Sequence, residues 1–249
     1  MDTQPKMIFL YLDLVNSTEF KYSGGKERWM ALFHSFYYDF PHYLSRHHDR
    51  ICQKYGLQLA PLEYWKGLGD AQIYHCEYRD ETEAYCYSLI FYATITEYGE
   101  YLKQKYGLQV KACAWKATFA QINLRVETPA GLDCIGPDMD LGFRLAQETL
   151  AGSFFLAMDL AYEVSLSELG KDMHFHHLGW RKLKGIHRNI PYPIILFSSP
   201  DIEPAVPIWE RALSDLLSAY YKHDPIEPVH LRELIDHYKK DLHFKPEVV

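Results

Sequence analysis

Residues 7–12 are apolar at consecutive positions, the pattern of a central strand covered on both faces, and the run ends at Asp13. Beyond Ser23-Gly24-Gly25, the residues Trp29, Phe33, Phe36 and Phe40 recur at three- and four-residue spacing, which predicts an amphipathic helix interrupted by Pro41. Residues 57–65 and 71–74 read as two strands joined by a short Gly-containing connection over 66–70, so Asp70 falls at or beside a hairpin turn. Asp80 and Glu83 have the spacing of a capping box. They open a helix whose Ala84, Ser88, Phe91, Ile95, Tyr98 and Leu102 share one face up to Gly107. A long strand over 110–119, a helix over 138–150 and strands over 154–158, 173–183 and 193–197 follow.

The order β-α-β-β-α-β predicts an α+β fold, a ferredoxin-like α/β sandwich with elements added after it. Pro200, Pro204 and Pro207 mark a break. It divides the chain into a domain over 1–200 and a C-terminal helical extension over 201–249, with helices at 208–221 and 229–242 separated by the Asp-Pro-Ile-Glu-Pro stretch at 224–228.

Composition narrows the function classes. A chain of 249 residues with 48% hydrophobic and 15% aromatic content can bury a sizeable core. The formal net charge of −7 argues against a nucleic-acid partner, which needs clustered Lys and Arg to neutralise phosphates. The five cysteines form no CxxC pair and are odd in number, so neither a disulfide framework nor a zinc site is expected. No basic-then-apolar leader and no apolar run of membrane-spanning length stand in the sequence, and a cytoplasmic protein without membrane association is expected. His174 and His176 share one face of a strand, with no Cys or carboxylate at ligand spacing; a structural metal is not expected there.

The chemistry-bearing feature is the aspartate pair. Asp13 and Asp70 each sit at a strand end, and two carboxylates brought together suit hard divalent cations, which take oxygen ligands and in turn hold phosphates. Asn16, Ser17 and Thr18 lie between a strand and a helix, where short hydroxyls and free backbone N–H groups can bind phosphate oxygens.

In four segments the sequence resembles the catalytic domain of the class III nucleotidyl cyclases, over residues 7–197. Leu12-Asp13-Leu14-Val15-Asn16-Ser17-Thr18 is similar to the family's first metal segment, and Lys66-Gly67-Leu68-Gly69-Asp70 to the hairpin bearing its second metal aspartate. Residues 134–145, ending Asp140-Leu141-Gly142-Phe143-Arg144-Leu145, resemble the segment with the ribose-orienting and transition-state residues, and Leu183-Lys184-Gly185 the late Leu-Lys-Gly element. The resemblance implies intramolecular attack of a 3′-hydroxyl on the α-phosphate of a nucleoside triphosphate, giving a 3′,5′-cyclic nucleotide and pyrophosphate. It implies two Mg²⁺ or Mn²⁺ ions on Asp13, Asp70 and the backbone of Leu14. Asn16, Ser17, Thr18 and Lys184 would hold phosphates, Arg144 would stabilise the transition state, and Lys66 and Asp133 would contact the base.

It also implies a homodimer whose two sites each draw residues from both protomers. Two departures stand out: Asp140 occupies the position of the family's ribose-orienting asparagine, and Lys116-Ala117 replaces a Thr-Gly pair. Retention of both metal aspartates speaks against a catalytically silent, nucleotide-binding module, and Asp140 speaks for one. The bare domain, and Tyr64-Trp65 beside Lys66, resemble the stand-alone pyrimidine cyclases of bacterial anti-phage (Pycsar) systems. That implies UTP first and CTP second, through steric exclusion of a purine, with a product acting on a downstream cyclic-nucleotide effector. An adenylate or guanylate cyclase of the same fold is the alternative, and the Lys66–Asp133 combination taken alone favours ATP.

Overall fold

The computed structural model describes residues 6–23, 25–119, 122–129, 131–170, 173–186, 190–198 and 228–243. Strand β1 (Lys6–Val15) is the axis of the molecule: it pairs antiparallel with both β3 (Ala71–Tyr78) and β4 (Gln109–Thr118). With β2 (Glu63–Gly67), β7 (Phe154–Leu156), β8 (His174–Arg181) and β9 (Tyr192–Ser198) they form a seven-stranded mixed sheet in the order β2-β3-β1-β4-β7-β9-β8, in which β4 and β7 run parallel. The architecture is the α+β one expected from the sequence.

The two faces of the sheet differ. On one face Tyr74 of β3 meets Phe40 of α2 (Lys26–Tyr55) at 5.7 Å between ring centroids, and Phe40 meets Phe91 and Tyr98 of α3 (Glu81–Tyr106) at 6.0 and 5.3 Å. Side chains alternate along a strand, so Leu10, which pairs with Tyr74, shares this helix-covered face with Ile8, Leu12 and Leu14. On the other face Phe9 stacks on its cross-strand neighbour Trp115 at 5.5 Å with the planes 9° apart, and Trp115 packs beneath Phe143 of α4 (Pro137–Glu148). Tyr11 and Asp13 continue along this second face.

Helix α3 starts as the sequence indicates. Asp80 accepts the Glu83 N–H at 2.9 Å, while the Glu83 carboxylate accepts from the backbone N–H of Arg79 rather than returning to Asp80. Five features depart from expectation, the first being that the strand expected over 57–65 forms only over Glu63–Gly67, which shortens the connection to 68–70. Helix α2 continues past Pro41, because proline removes only one hydrogen bond of a 30-residue helix whose Leu32, Phe36, Phe40, Leu44 and Ile51 are buried on both sides of it. A short helix α1 (Ser17–Ser23) follows β1 directly. The strand expected over 154–158 ends at Leu156, and Met158 opens helix α5 (Met158–Val164). A separate antiparallel hairpin, β5 (Leu124–Thr128) and β6 (Gly131–Ile135), projects with Leu124, Leu132 and Ile135 exposed.

Helix α6 (Pro228–His243) answers to the second C-terminal helix and packs back onto the domain: Lys239 pairs with Asp159 of α5 at 2.8 Å, and Tyr238 stacks on Trp180. The helix expected over 208–221 lies outside the described residues. At the end of the sheet remote from Asp13, Glu163 of α5 accepts from Lys6 of β1, from Tyr78 of β3 at 2.9 Å and from Lys116 of β4 at 2.9 Å. Burial pushes the Glu163 carboxyl up, and these donors together hold it below the usual carboxylate range. Among the described residues no helix is long and apolar enough to cross a membrane.

Candidate active site

The sheet brings the two aspartates together. Asp13 stands opposite Ala71, the first residue of β3, and Asp70 is the last residue of the turn before it. The Leu14 N–H donates to the Asp70 carbonyl at 3.1 Å, which ties the end of β1 to the turn. The turn itself is fixed by a Leu68 N–H to Ala71 carbonyl bond of 2.9 Å, by Gly69 at φ 73°, and by the Tyr37 hydroxyl of α2 donating to the Gly69 carbonyl at 2.7 Å. Asn16 takes the left-handed conformation at φ 61° and turns the chain into α1, where the buried Ser17 donates its hydroxyl proton to Asp70 Oδ2. Thr18 is exposed beside it.

The electrostatics of this corner are short of positive charge. Burial pushes the Asp13 carboxyl up, Lys111 across the ladder pulls it down, and the charge of Asp70 pushes it up again; the net direction is upward. Burial and then the Asp13 charge push the neighbouring Tyr11 phenol well above its ordinary range. Among the described residues no group of three or more His, Cys, Asp or Glu side chains could hold a metal by itself. Two carboxylates, one of them raised by burial and then by the other's charge, match what Mg²⁺ and Mn²⁺ take when nucleotide phosphates and water complete the shell. These residues fit a nucleotide-chelated cation and not a dedicated all-protein cage.

On the same face, two strands away and about 10 Å across the sheet, lies a second group. The β2–β3 ladder slips between Tyr64 and Lys66, a bulge that sends Trp65 and Lys66 to one side. Trp65 packs edge-on against Phe9 at 5.2 Å and donates its indole N–H to the Leu132 carbonyl of β6 at 2.9 Å. Lys66 sits 3.9 Å above the Trp65 ring and bonds Asp133 of β6 at 2.6 Å. The Lys66 ammonium holds the Asp133 carboxyl below its usual range, helped by the Cys134 N–H. Tyr64 is set apart from these three: its ring meets Tyr74 at 5.7 Å on the helix-covered face, in an open groove with Tyr37 and Pro41 of α2. The bulge is the physical reason, since it separates residues that an unbroken strand would alternate differently.

Helix α4 carries Asp140 and Arg144 across β4. Its entry is locked by Asn123, 1% exposed, which donates to Asp138 Oδ2 at 2.6 Å and accepts the Asp138 N–H at 3.2 Å. Gly136 leads into the helix at φ 148°, where a Cβ would lie 2.3 Å from Asn123 Oδ1. Asp140 is exposed, and Arg144 reaches Gln147 at 3.3 Å. Lys184 is exposed in the turn after β8. Within one chain and among the described residues, no hydrogen bond or ion pair joins Asp140, Arg144 or Lys184 to the two aspartates. The basic partner of Asp13 is Lys111, which the sequence did not single out: it is one lysine in a mostly apolar strand run, and its place depends on cross-strand register. Lys116 points to the opposite face and serves Glu163.

No family model matches the chain, and no curated protein matches it in sequence. Solved structures do match in fold. The adenylyl cyclase CyaB from P. aeruginosa is similar at a TM-score of 0.55 and 16% identity, covering 81% of this chain and 98% of its own. The guanylate cyclase domain of RhGC from Catenaria anguillulae, solved with GTP, is similar at a TM-score of 0.57 and 13% identity, covering 79% and 97%. The guanylyl cyclase Cya2 is similar at 0.53 and 13%, covering 80% and 97%. The chain therefore has the fold of the class III adenylyl and guanylyl cyclase domains, over almost the whole length of those domains.

Proposed function

We propose that this protein is a metal-dependent nucleotidyl cyclase that converts a pyrimidine nucleoside triphosphate, UTP first and CTP second, to its 3′,5′-cyclic monophosphate and pyrophosphate. The observation that carries the reading is the meeting of Asp13 and Asp70 at adjoining strand ends, on a sheet with the cyclase fold. Two divalent cations, Mn²⁺ or Mg²⁺, would lower the pKa of the attacking hydroxyl and neutralise the triphosphate. The chain's own part is to hold those cations through Asp13, Asp70 and the Leu14 backbone, and to seat phosphate oxygens at Asn16, Ser17, Thr18 and Lys184. Arg144 supplies a planar fork of donors for charge developing on phosphorus. Asp140, in place of an amide, accepts a hydrogen bond from the ribose.

Among the described residues Arg144 and Asp140 make no hydrogen bond or ion pair with the aspartates of their own chain, so each site takes them from a second copy in a head-to-tail homodimer. The exposed leucines of the β5–β6 hairpin fit such an interface. Trp65 supports pyrimidine selection: packed on Phe9 and covered by Lys66, it fills space beside the Lys66–Asp133 pair and leaves less room for a two-ring base. We place the product in anti-phage signalling through a separate cyclic-nucleotide effector, with residues 1–200 as the catalytic domain and 201–249 as its extension. A second reading, ATP as substrate, is favoured by the direct Lys66–Asp133 bond. Incubation with each of the four labelled triphosphates and Mn²⁺ separates them: cyclic UMP or CMP supports the first, cyclic AMP the second, and no cyclic product from any of the four overturns both.

A further inference from the structure

The corner that holds the two aspartates already contains a cation of the chain's own. Lys111 stands on β4 directly across from Asp13, with Nζ 3.4 Å from Asp13 Oδ2, and its side chain and that of Asp13 are only 24% and 16% exposed. Three further groups face this point: Asp70, whose carboxylate accepts from Ser17, the Tyr11 hydroxyl, and Cys113 beneath the sheet surface. Two carboxylates and one ammonium leave a net charge of −1, so Lys111 is the counter-ion that lets two half-buried acids lie side by side.

An ammonium in contact with a carboxylate oxygen and a divalent cation bound to the same oxygen are like charges a few ångströms apart, and in a partly buried site that repulsion is weakly screened. Lysine is suited to give way: its charge sits at the end of a flexible four-carbon stem, with no fork of fixed donors to break. Its neighbours on the strand, Ala112, Cys113 and Ala114, are fully buried and hold the backbone in place while the side chain moves.

We propose, resting on the reading of Asp13 and Asp70 as cation ligands, that Lys111 is an internal counter-ion of this site which an entering divalent cation displaces from Asp13. Lys111 is then a positioning residue. It keeps the cation-free corner folded and weakens binding of the cation alone.

The test uses the full chain and Mn²⁺ alone, with free Mn²⁺ read by electron paramagnetic resonance and no nucleotide present. Lys111→Met, which keeps the length of the stem and removes the charge, should bind Mn²⁺ at least tenfold more tightly than wild type, and Asp13→Asn at least tenfold more weakly. A merely structural lysine would leave Mn²⁺ affinity unchanged or lower it on substitution. Unchanged or weaker binding in Lys111→Met, with binding still lost in Asp13→Asn, overturns the counter-ion role and leaves the cation site standing. Undiminished binding in Asp13→Asn overturns the cation site and this proposal together. Should Lys111→Met fail to fold, the unmodified protein gives the answer: Mn²⁺ should raise the acylation rate of Lys111 several-fold, read by peptide mass spectrometry, and leave the exposed Lys103 unchanged. Equal rates with and without Mn²⁺ overturn the displacement.

Discussion

Gly142 is the point at which helix α4 rests on the sheet. A Cβ built there falls 2.1 Å from Trp115 Cδ2 and 2.2 Å from Cε2, and Trp115 is fully buried, stacked on its cross-strand neighbour Phe9 and flanked by Phe143. The indole cannot retreat, so in Gly142→Ala the helix must lift by about 1.4 Å to reach ordinary carbon contact. Overpacking of this kind costs about 1–3 kcal/mol, and the better helix propensity of alanine returns up to about 1 kcal/mol. With the ring caged, the net loss falls near 2 kcal/mol, a drop of roughly 4–8 °C in Tm for a domain of this size.

Function should suffer more than stability. Asp140 and Arg144 lie two residues to either side of Gly142, and a shift of about 1 Å at a transition-state group costs on the order of 100-fold in rate. Thermal melts and cyclic-nucleotide formation measured on the same preparation check both figures. Adding Trp115→Phe, which opens space under the helix, should recover part of each loss, since residues in contact couple. A Gly142→Ala protein that melts at or above the wild-type temperature with full turnover would show that the helix does not depend on this contact.

Other outcomes are expected. Asp13→Ala or Asp70→Ala should abolish turnover while far-UV circular dichroism stays native, and Arg144→Ala should lower kcat strongly with little change in nucleotide affinity. Mixing Asp70→Ala with Arg144→Ala protomers should restore one working site per heterodimer, read as recovered product in a titration of one against the other. Trp65→Ala should admit purine triphosphates, read in the four-nucleotide assay; unchanged base selectivity refutes the steric role of the indole. His75 and His177 are both held below the ordinary histidine range by burial, so the unfolded chain takes up protons first on acidification. Stability should be full above about pH 6.5 and fall as pH drops through that value, and Tm measured from pH 8 to pH 5 should decline over the acidic half only.

The sheet and its two covering helices were legible because their signals are local. Consecutive apolar residues mark β1, the Asp80–Glu83 spacing opens α3, and Gly67 and Gly69 bracket the hairpin that delivers Asp70. What escaped depends on relations between strands. A bulge decides that Trp65 rather than Tyr64 joins Lys66, and register decides that Lys111 meets Asp13 while Lys116 faces the other way. Pro41 misled because a local penalty is outweighed by the buried stripe on either side of it. The β5–β6 hairpin was missed because its apolar residues face outward and form no core pattern.

The Glu163 clamp bears on the aspartates from the far end of the sheet. It gathers one side chain each from β1, β3 and β4, about 24 Å along β1 from Asp13. A slip of β1 by one position against either neighbour would turn Lys6 away from Glu163 and, by the same two-residue alternation, rotate Asp13 onto the helix-covered side. The clamp thus works as a proofreading device for strand alignment: a sheet slipped by one residue forfeits a partly buried ion cluster, and the alignment that satisfies Glu163 is the one that sets Asp13 beside the turn bearing Asp70.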